Sequence, residues 1–391
     1  MELEAAIAWP FAMGGAIAER YEWLTDGMPP AYGMETTHRL RQDPRVLLTF
    51  DGLEKAGARR WMEHLVAMHG AGRWHVPLAC DAVETTAAAA ADATVVGADT
   101  AHRRFVAGGN AMLVMPGQPR LAEMVRIEEV QADALFLETP LLRDWPAGSL
   151  LMPTLGCWLD GAPQFSRFTG DDAPYSVAFR AGETMPLGAP ESVPSYRDLP
   201  VFEQPVYWTQ DPGYTPARRV ATLDDGIGPI LLHDQAGMVL PRITVEVTAV
   251  GAAEIGAHRS LLAALSGRHH PVWVPSFAQD FRLLAAPSST TLDVEWFGFG
   301  DWPLQANRRD IRIERHGAAP LYRRITAVNP VTDGERLVLD AALPGGFSVD
   351  QVACISFMAL CRQDADVNAL RLWGQGVVQS QLTFVGCQHG L

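Results

Sequence analysis

Lysine is almost absent from this chain. Of 31 cationic residues, 30 are Arg and one is Lys55. Schiff-base chemistry and phosphate-binding P-loops both depend on a lysine amine. Lys55 follows no glycine-rich loop, so both groups of enzymes are set aside. The bias reads as compositional, with Arg supplying planar, multi-donor contacts suited to interfaces. Cysteine is scarce too. Cys80, Cys157, Cys354, Cys361 and Cys387 are too few and too scattered for a disulfide framework, and no C-x-x-C pair occurs. Cys354 and Cys361 are seven apart, which in a continuous strand points them to opposite faces. Buried free thiols are the expected state. No apolar run reaches 18 residues, which sets aside a spanning helix. The N-terminal MELEAAIAWPFAMGG opens acidic and lacks the basic region of a secretory signal. A soluble chain made in a reducing compartment is expected. No basic run or tail is present, and the net charge is −14, opposite to the field that binds phosphates. Nucleic acid is discounted as a bound partner.

Catalytic signatures are missing as well. There is no G-x-S-x-G, H-E-x-x-H, G-x-x-x-x-G-K or dinucleotide fingerprint. Gly298-Phe299-Gly300 follows a strand-like run but lacks a third glycine, and reads as a turn. His64 and His69 are five apart and do not stack on one helix face, and His269-His270 fall in a post-helix turn. Asp171-Asp172 and Asp364/Asp366 could pair as acid and base or hold a divalent cation, but acidic residues in turns are ordinarily just solvated. The sequence therefore nominates no catalytic, cofactor-binding or metal-ligating residue. Trp23, Trp61, Trp74, Trp145, Trp158, Trp273, Trp296, Trp302 and Trp373 are spread along the chain and read as core and interface anchors.

What is present is self-similarity. Trp9 precedes Trp208, and Leu24-Thr25-Asp26-Gly27 precedes Leu223-Asp224-Asp225-Gly226, by 199 positions each. Pro44-Arg45-Val46 is echoed by Pro241-Arg242-Ile243, Gly57-Ala58-Arg59-Arg60 by Gly256-Ala257-His258-Arg259, and His75-Val76-Pro77 by Trp273-Val274-Pro275. Arg126-Ile127 and Val130 answer Arg324-Ile325 and Val328, and Leu135–Glu138 answers Leu337–Asp340. Seven matches in one order at offsets of 197–202 imply an internal duplication, with a period far longer than that of solenoids or propellers. The implied layout is a first domain over 1–184, a Pro-rich extended linker over 185–205 and a second domain over 206–391.

Each copy reads as mostly β. Val46–Phe50, Met124–Val130, Ala134–Glu138 and Tyr175–Arg180 are strand-like, as are Ile243–Val250, Arg309–Glu314, Leu321–Ala327, Arg336–Asp340 and Gln379–Val385. One helix per copy is expected, over Ala58–Met68 and Ala257–Ser266, each followed by a glycine, Gly70 and Gly267. The fold class is thus mainly β (α+β), with tandem sandwich or barrel domains and one packed helix in each.

Several stretches resemble tail-assembly proteins of siphophages and prophages, encoded downstream of the tape measure protein. They are Trp9-Pro10, Glu22–Asp26, His38–Arg45, Asp51–Leu65 and Gly72–Pro77 in the first half. In the second they are Leu292–Trp296, Arg308–Arg312, Leu321–Thr326 and Ile355–Arg362. The resemblance runs nearly end to end, and its motifs are structural rather than catalytic. Each half is also distantly similar to the N-terminal domain of distal tail proteins. The resemblance implies tail-tube-like β-barrels and a ring at the virion's tail tip or baseplate, made in the host cytoplasm. Its neighbours would be the tail tube protein, the tape measure protein and the tip or central fibre proteins, with DNA passing through the lumen. A distal-tail hexamer and a hub-like pseudo-sixfold trimer both fit. A tail-borne carbohydrate- or receptor-binding module is the alternative, and a cell-wall hydrolase a third reading for which the sequence names no residue.

Overall fold

The computed structural model describes residues 7–11, 15–28, 35–185, 187, 192–208, 210–345, 348–373 and 376–388. The fold is mainly β, with two α-helices among these residues. Strand Arg45–Lys55 shows how its sequence makes it a strand: Val46, Leu48 and Phe50 alternate inward while their neighbours face out. Strand Leu150–Leu159 reads differently. Leu150 to Cys157 are all buried, so the run is apolar on both faces and has no period-2 signature.

In the first half, Arg45–Lys55 lies antiparallel between Ala16–Glu22 and Asp172–Ala181. Asp172–Ala181 leads to Leu150–Leu159, which also pairs with Trp74–Pro77 and Asn110–Met115. Asn110–Met115 pairs with Gln118–Gln131, whose far end joins a small sheet with Ala134–Leu137 and Val95–Gly97. In the second half, Arg242–Val250 lies between Gly213–Thr215 and Val377–Gly386. Val377–Gly386 leads to Val352–Gln363, which pairs with Val272–Pro275 and Asp310–Arg315. Asp310–Arg315 pairs with Ala318–Val331, whose far end joins Gly334–Leu339 and Thr291–Glu295.

The details correspond as well. Cys157 sits opposite Trp74, and Cys361 opposite Val272. Ala8 pairs in parallel with His75, and Val201 with Trp273. Each long strand shifts register against its small-sheet partner, after Ile127 and after Ile325. A bulge there re-aims the chain so that one strand serves two sheets.

Helix α1 (Ala56–His69) and helix α2 (Gly251–Leu265) each follow a strand without a loop. The junction needs a left-handed residue, and Ala56 (φ 42°) and Gly251 (φ 79°) supply it. The helix starts therefore correspond as Ala56 and Gly251, and the match of Gly57–Arg60 to Gly256–Arg259 is a coincidence of composition: Gly57 lies in the first turn of α1 and Gly256 in the second turn of α2. A Cβ at Gly251 would meet nothing within 4 Å, so Gly251→Ala costs only backbone strain, about 1 kcal/mol. Ala56→Gly is expected to leave stability unchanged or raise it by up to about 1 kcal/mol. Urea midpoints of both variants check this, and equal losses at the two sites would refute it.

The halves meet in one sheet. The second edge of Ala16–Glu22 pairs antiparallel with Val367–Leu372, Glu19 facing Leu370 and Tyr21 facing Asn368. One apolar core runs across both halves, from Trp9 and Trp74 through Ile255 and Leu262 to Phe384. Smaller cores lie under the two small sheets. The stretch read as a linker contributes to this interior: Met185, Leu187, Val201 and Phe202 are buried, and Phe202 donates its N–H to the Trp273 carbonyl.

Candidate functional site

The seam between the halves holds the most unusual chemistry of the molecule. Along Ala16–Glu22, Ile17, Glu19 and Tyr21 share the inward face. Asp81 ends a short 3-10 turn, Ala79–Asp81, beyond strand Trp74–Pro77. Arg104 comes from the loop before Asn110–Met115, and Arg259 from the middle of α2. All five polar side chains are buried.

Arg104 is the hub. Its Nη2 donates to both Glu19 oxygens at 2.9 and 2.8 Å, its Nε to Asp81 Oδ2 at 2.5 Å, and its Nη1 to the Tyr21 hydroxyl at 3.1 Å. Tyr21 donates to Glu19 Oε2 at 2.7 Å. Arg259 arrives from the second half and donates to both Asp81 oxygens at 2.8 and 2.9 Å, and to the His102 carbonyl at 3.0 Å. Two carboxylates thus face two guanidinium groups, with no net charge left over. Burial alone would raise the Asp81 carboxyl, but Arg104 and Arg259 outweigh it and hold it below its usual range. Burial drives the Tyr21 hydroxyl and the Cys80 thiol well upward, so both stay protonated. The cluster locks a position rather than doing acid–base work.

His258 precedes Arg259 and is also buried, and neither of its ring nitrogens has a partner. Burial, with Arg259 adding to it, lowers its pKa from 6.5 to about 4. The unfolded chain takes up this proton near pH 6.5 and the folded one only near 4, so stability falls as pH drops through that window. The loss approaches about 3 kcal/mol at full extent. His258→Phe is expected to flatten this limb in urea titrations across pH 4 to 7. Part of the slope will remain, because His270 is likewise lowered to about 4 by burial and by His269. An unchanged limb would mean that His258 accepts a charge in place.

The residues singled out in the sequence end up apart. His64 is exposed, and His69 bonds the Arg73 carbonyl at 2.9 Å and stacks edge-on to Trp74. His269 and His270 contact each other with ring centroids 4.2 Å apart. Asp171 faces Arg60 at 3.5 Å, Asp172 starts a strand and Asp364 binds Arg242 at 2.6 Å. Asp366 braces the seam instead, accepting the N–H of Thr25 at 2.7 Å and of Arg268 at 2.9 Å. Among the described residues no three His, Cys, Asp or Glu side chains are placed to share a metal ion. The five cysteines are free, and burial pushes the Cys157 thiol up to about 12 and Cys387 to about 11. Gly298-Phe299-Gly300 is a turn, with Phe299 and Gly300 donating their N–H groups to buried Glu335 at 3.1 and 2.7 Å. Trp74, Trp145 and Trp273 are buried, whereas Trp158, Trp208, Trp296, Trp302 and Trp373 are exposed.

One surface escaped the sequence reading. Hairpin Val220–Leu223 with Leu231–Asp234 projects from the second half, and Leu223, Ile227, Ile230, Leu231 and Leu232 are all open to solvent, Ile227 at 95%. The related hairpin Thr25–Met28 with Thr36–Arg39 exposes Met28. The Leu-Asp-Asp-Gly turn was legible as a repeat of Leu24–Gly27, but its apolar flanks carried no signal of their own. Exposed apolar clusters of this kind mark contact with other macromolecules.

Fold and surface together define a class: a mainly β protein whose halves join in one sheet around a buried ionic lock, with apolar hairpins held outward. No protein-family model matches the chain, and no curated protein matches it. Its function is therefore argued from its own residues.

Proposed function

We propose that this chain is a structural, non-enzymatic component of the tail tip of a long-tailed bacteriophage, where copies form a ring linking the tail tube to the host-contacting tip. The observation that carries the reading is the recurrence of one order of strands, helix and pairings in residues 7–181 and 201–386, with the two units side by side in one sheet. On this reading the chain is an internal duplication of a tail-tube-like domain. Closed rings use heterologous, head-to-tail contacts, and two like units set side by side are the beginning of such a ring. The sequence resemblance adds the context. Tail tube, tape measure and tip or fibre proteins would be the neighbours, and the exposed hairpins would meet them. The acidic balance suits a lumen through which DNA passes without sticking.

Native mass spectrometry of the purified chain, with symmetry-free averaging of intact tail tips, tests the proposal. Three copies per tip indicate a hub-like ring of alternating halves, and six a distal-tail ring. A monomer absent from the particle overturns the reading. One observation favours a second reading, a carbohydrate- or receptor-binding module: Trp296, Phe297 and Trp302 are exposed around the Gly298 turn. Binding on a glycan array that is lost in Trp302→Ala would support it.

A further inference from the structure

The internal seam is made of two unlike faces, and the molecule carries a second, unused version of each. On the first half the face is the outer edge of Ala16–Glu22 with Tyr21, beside Asp81. On the second half it is Val367–Leu372 together with the outer side of α2, where Arg259 and Ser260 are buried.

The unused edge lies in the second half. Gly213–Thr215 pairs with Arg242–Val250 on one side and with no described strand on the other. Tyr214 sits opposite Ile243 as Tyr21 sits opposite Val46, in the strands opened by Pro241-Arg242 and Pro44-Arg45. Yet Tyr21 is 0% exposed and Tyr214 38%. The same burial difference separates the helices. Helix α2 buries residues on both sides, from Ile255 and Leu262 to Arg259 and Ser260, whereas α1 fully buries only Met62. Arg60, His64 and Met68 of α1 are exposed. Beside α1, the short strand Gln164–Phe165 pairs with Asp172–Ala181 and with no other described strand, and Phe168 beyond it is exposed.

We propose that a second copy of this chain docks the outer face of its α1, with the Gln164–Phe168 segment, onto the Tyr214 edge of its neighbour, repeating the internal seam between molecules. The occupant is a second copy because the two open faces are the counterparts of two faces that already fit each other within one chain. The unlike faces make the contact head-to-tail, so it propagates around a ring or along a filament. The copy will not be literal. Between Val206, which bridges to Val247, and Gly213 the chain takes a longer path than its counterpart. It carries exposed Trp208 against Phe277, ring centroids 6.5 Å apart. Trp208 and Tyr214 therefore supply the anchoring aromatics, and the backbone ladder is shorter than the internal one. A groove of about 520 Å3 beside Trp208 is lined by Glu203, Glu254 and Glu314 with Arg312, which binds Glu203 and Glu314. Three carboxylates against one guanidinium leave an acidic rim for Arg60, exposed on α1.

This inference rests on the proposed ring, and the experiment separates the two. The full chain and the exposed-site variants Tyr214→Arg and Met68→Glu are followed by light scattering behind size exclusion, with thermal midpoints confirming that each variant is folded. The wild-type chain is expected to self-associate, and each variant to need at least tenfold higher concentration to do so. Mixing the two variants is expected to give a 1:1 heterodimer that grows no further, since each keeps one intact face. Wild-type assembly that both variants leave unchanged overturns the proposed surfaces but leaves the ring standing. A wild-type chain that stays monomeric at every concentration overturns this inference, whereas the ring itself falls only if the chain is also absent from intact tail tips.

Discussion

Asp81→Ala is expected to lower the stability of the chain by about 3–5 kcal/mol, the cost of leaving buried charge uncompensated. Asp81 is nearly inaccessible and accepts from Arg104 and Arg259 together. Its removal leaves Arg259 with only the His102 carbonyl and Arg104 with only the Glu19 and Tyr21 side. Asp81→Asn keeps the volume and one acceptor, so a smaller loss is expected. The decisive comparison is Asp81→Leu with Arg259→Met. If the seam is held by position rather than by net attraction, the double variant should recover at least half of the single variant's loss, because buried ion pairs are often replaceable by apolar groups of similar size. Urea unfolding reads the midpoint and its slope. A loss below about 1 kcal/mol for Asp81→Ala, typical of exposed pairs, would mean that water reaches the seam. The charged form of Asp81 is the stabilising one and its carboxyl is held low. Its contribution is therefore complete above the ordinary carboxylate range and disappears as pH falls through the folded value.

The second large effect is Trp9→Ala, expected at about 3–5 kcal/mol. Trp9 is fully buried and has five aromatic rings edge-on or tilted with centroids within 6.5 Å, among them Phe11 at 5.0 Å, Phe179 at 5.0 Å, Trp74 at 5.7 Å and Phe50 at 6.5 Å. Tyr175 stands at the same outer distance and donates its hydroxyl to the Phe11 carbonyl at 2.9 Å. Deleting the indole removes the shared centre of this group, and rings fixed by one another collapse poorly into the space. Trp208, its partner in the sequence alignment, is exposed, so Trp208→Ala should cost under about 1 kcal/mol. Equal losses at both positions would contradict the burial difference.

How much of this was legible in the sequence follows from what each signal measures. The half-buried strands, Arg45–Lys55 and Asp310–Arg315 among them, alternate and were found, as were both helices, although α2 starts at Gly251, six residues before the expected Ala257. Leu150–Leu159 escaped because burial on both faces erases the alternation, and its Pro153 and Gly156 argue against a central strand. Val367–Leu372 was missed for another reason. Asn368, Ala369 and Arg371 make an unremarkable polar pattern, and only the distant strand Ala16–Glu22 gives it a place. The ionic lock was invisible, since Glu19, Asp81, Arg104 and Arg259 share no spacing and meet only through the seam. Arg259 was noticed, but as a match to Arg60, a residue that is exposed. The cysteines were read correctly as free and mostly buried, because that expectation asks only for small apolar volume.

The seam also sets an order of events for the chain as it is made. Strand Ala16–Glu22 leaves the ribosome long before Val367–Leu372 is synthesised, and one of its edges stays vacant until then. Arg104 and Asp81 meet early, but Arg259 arrives only after the second half begins. Contacts of such sequence separation form slowly, and an unpaired edge held open through synthesis invites pairing with other chains. The nascent first half is therefore the aggregation-prone species, and chaperone demand should peak before the last strands emerge.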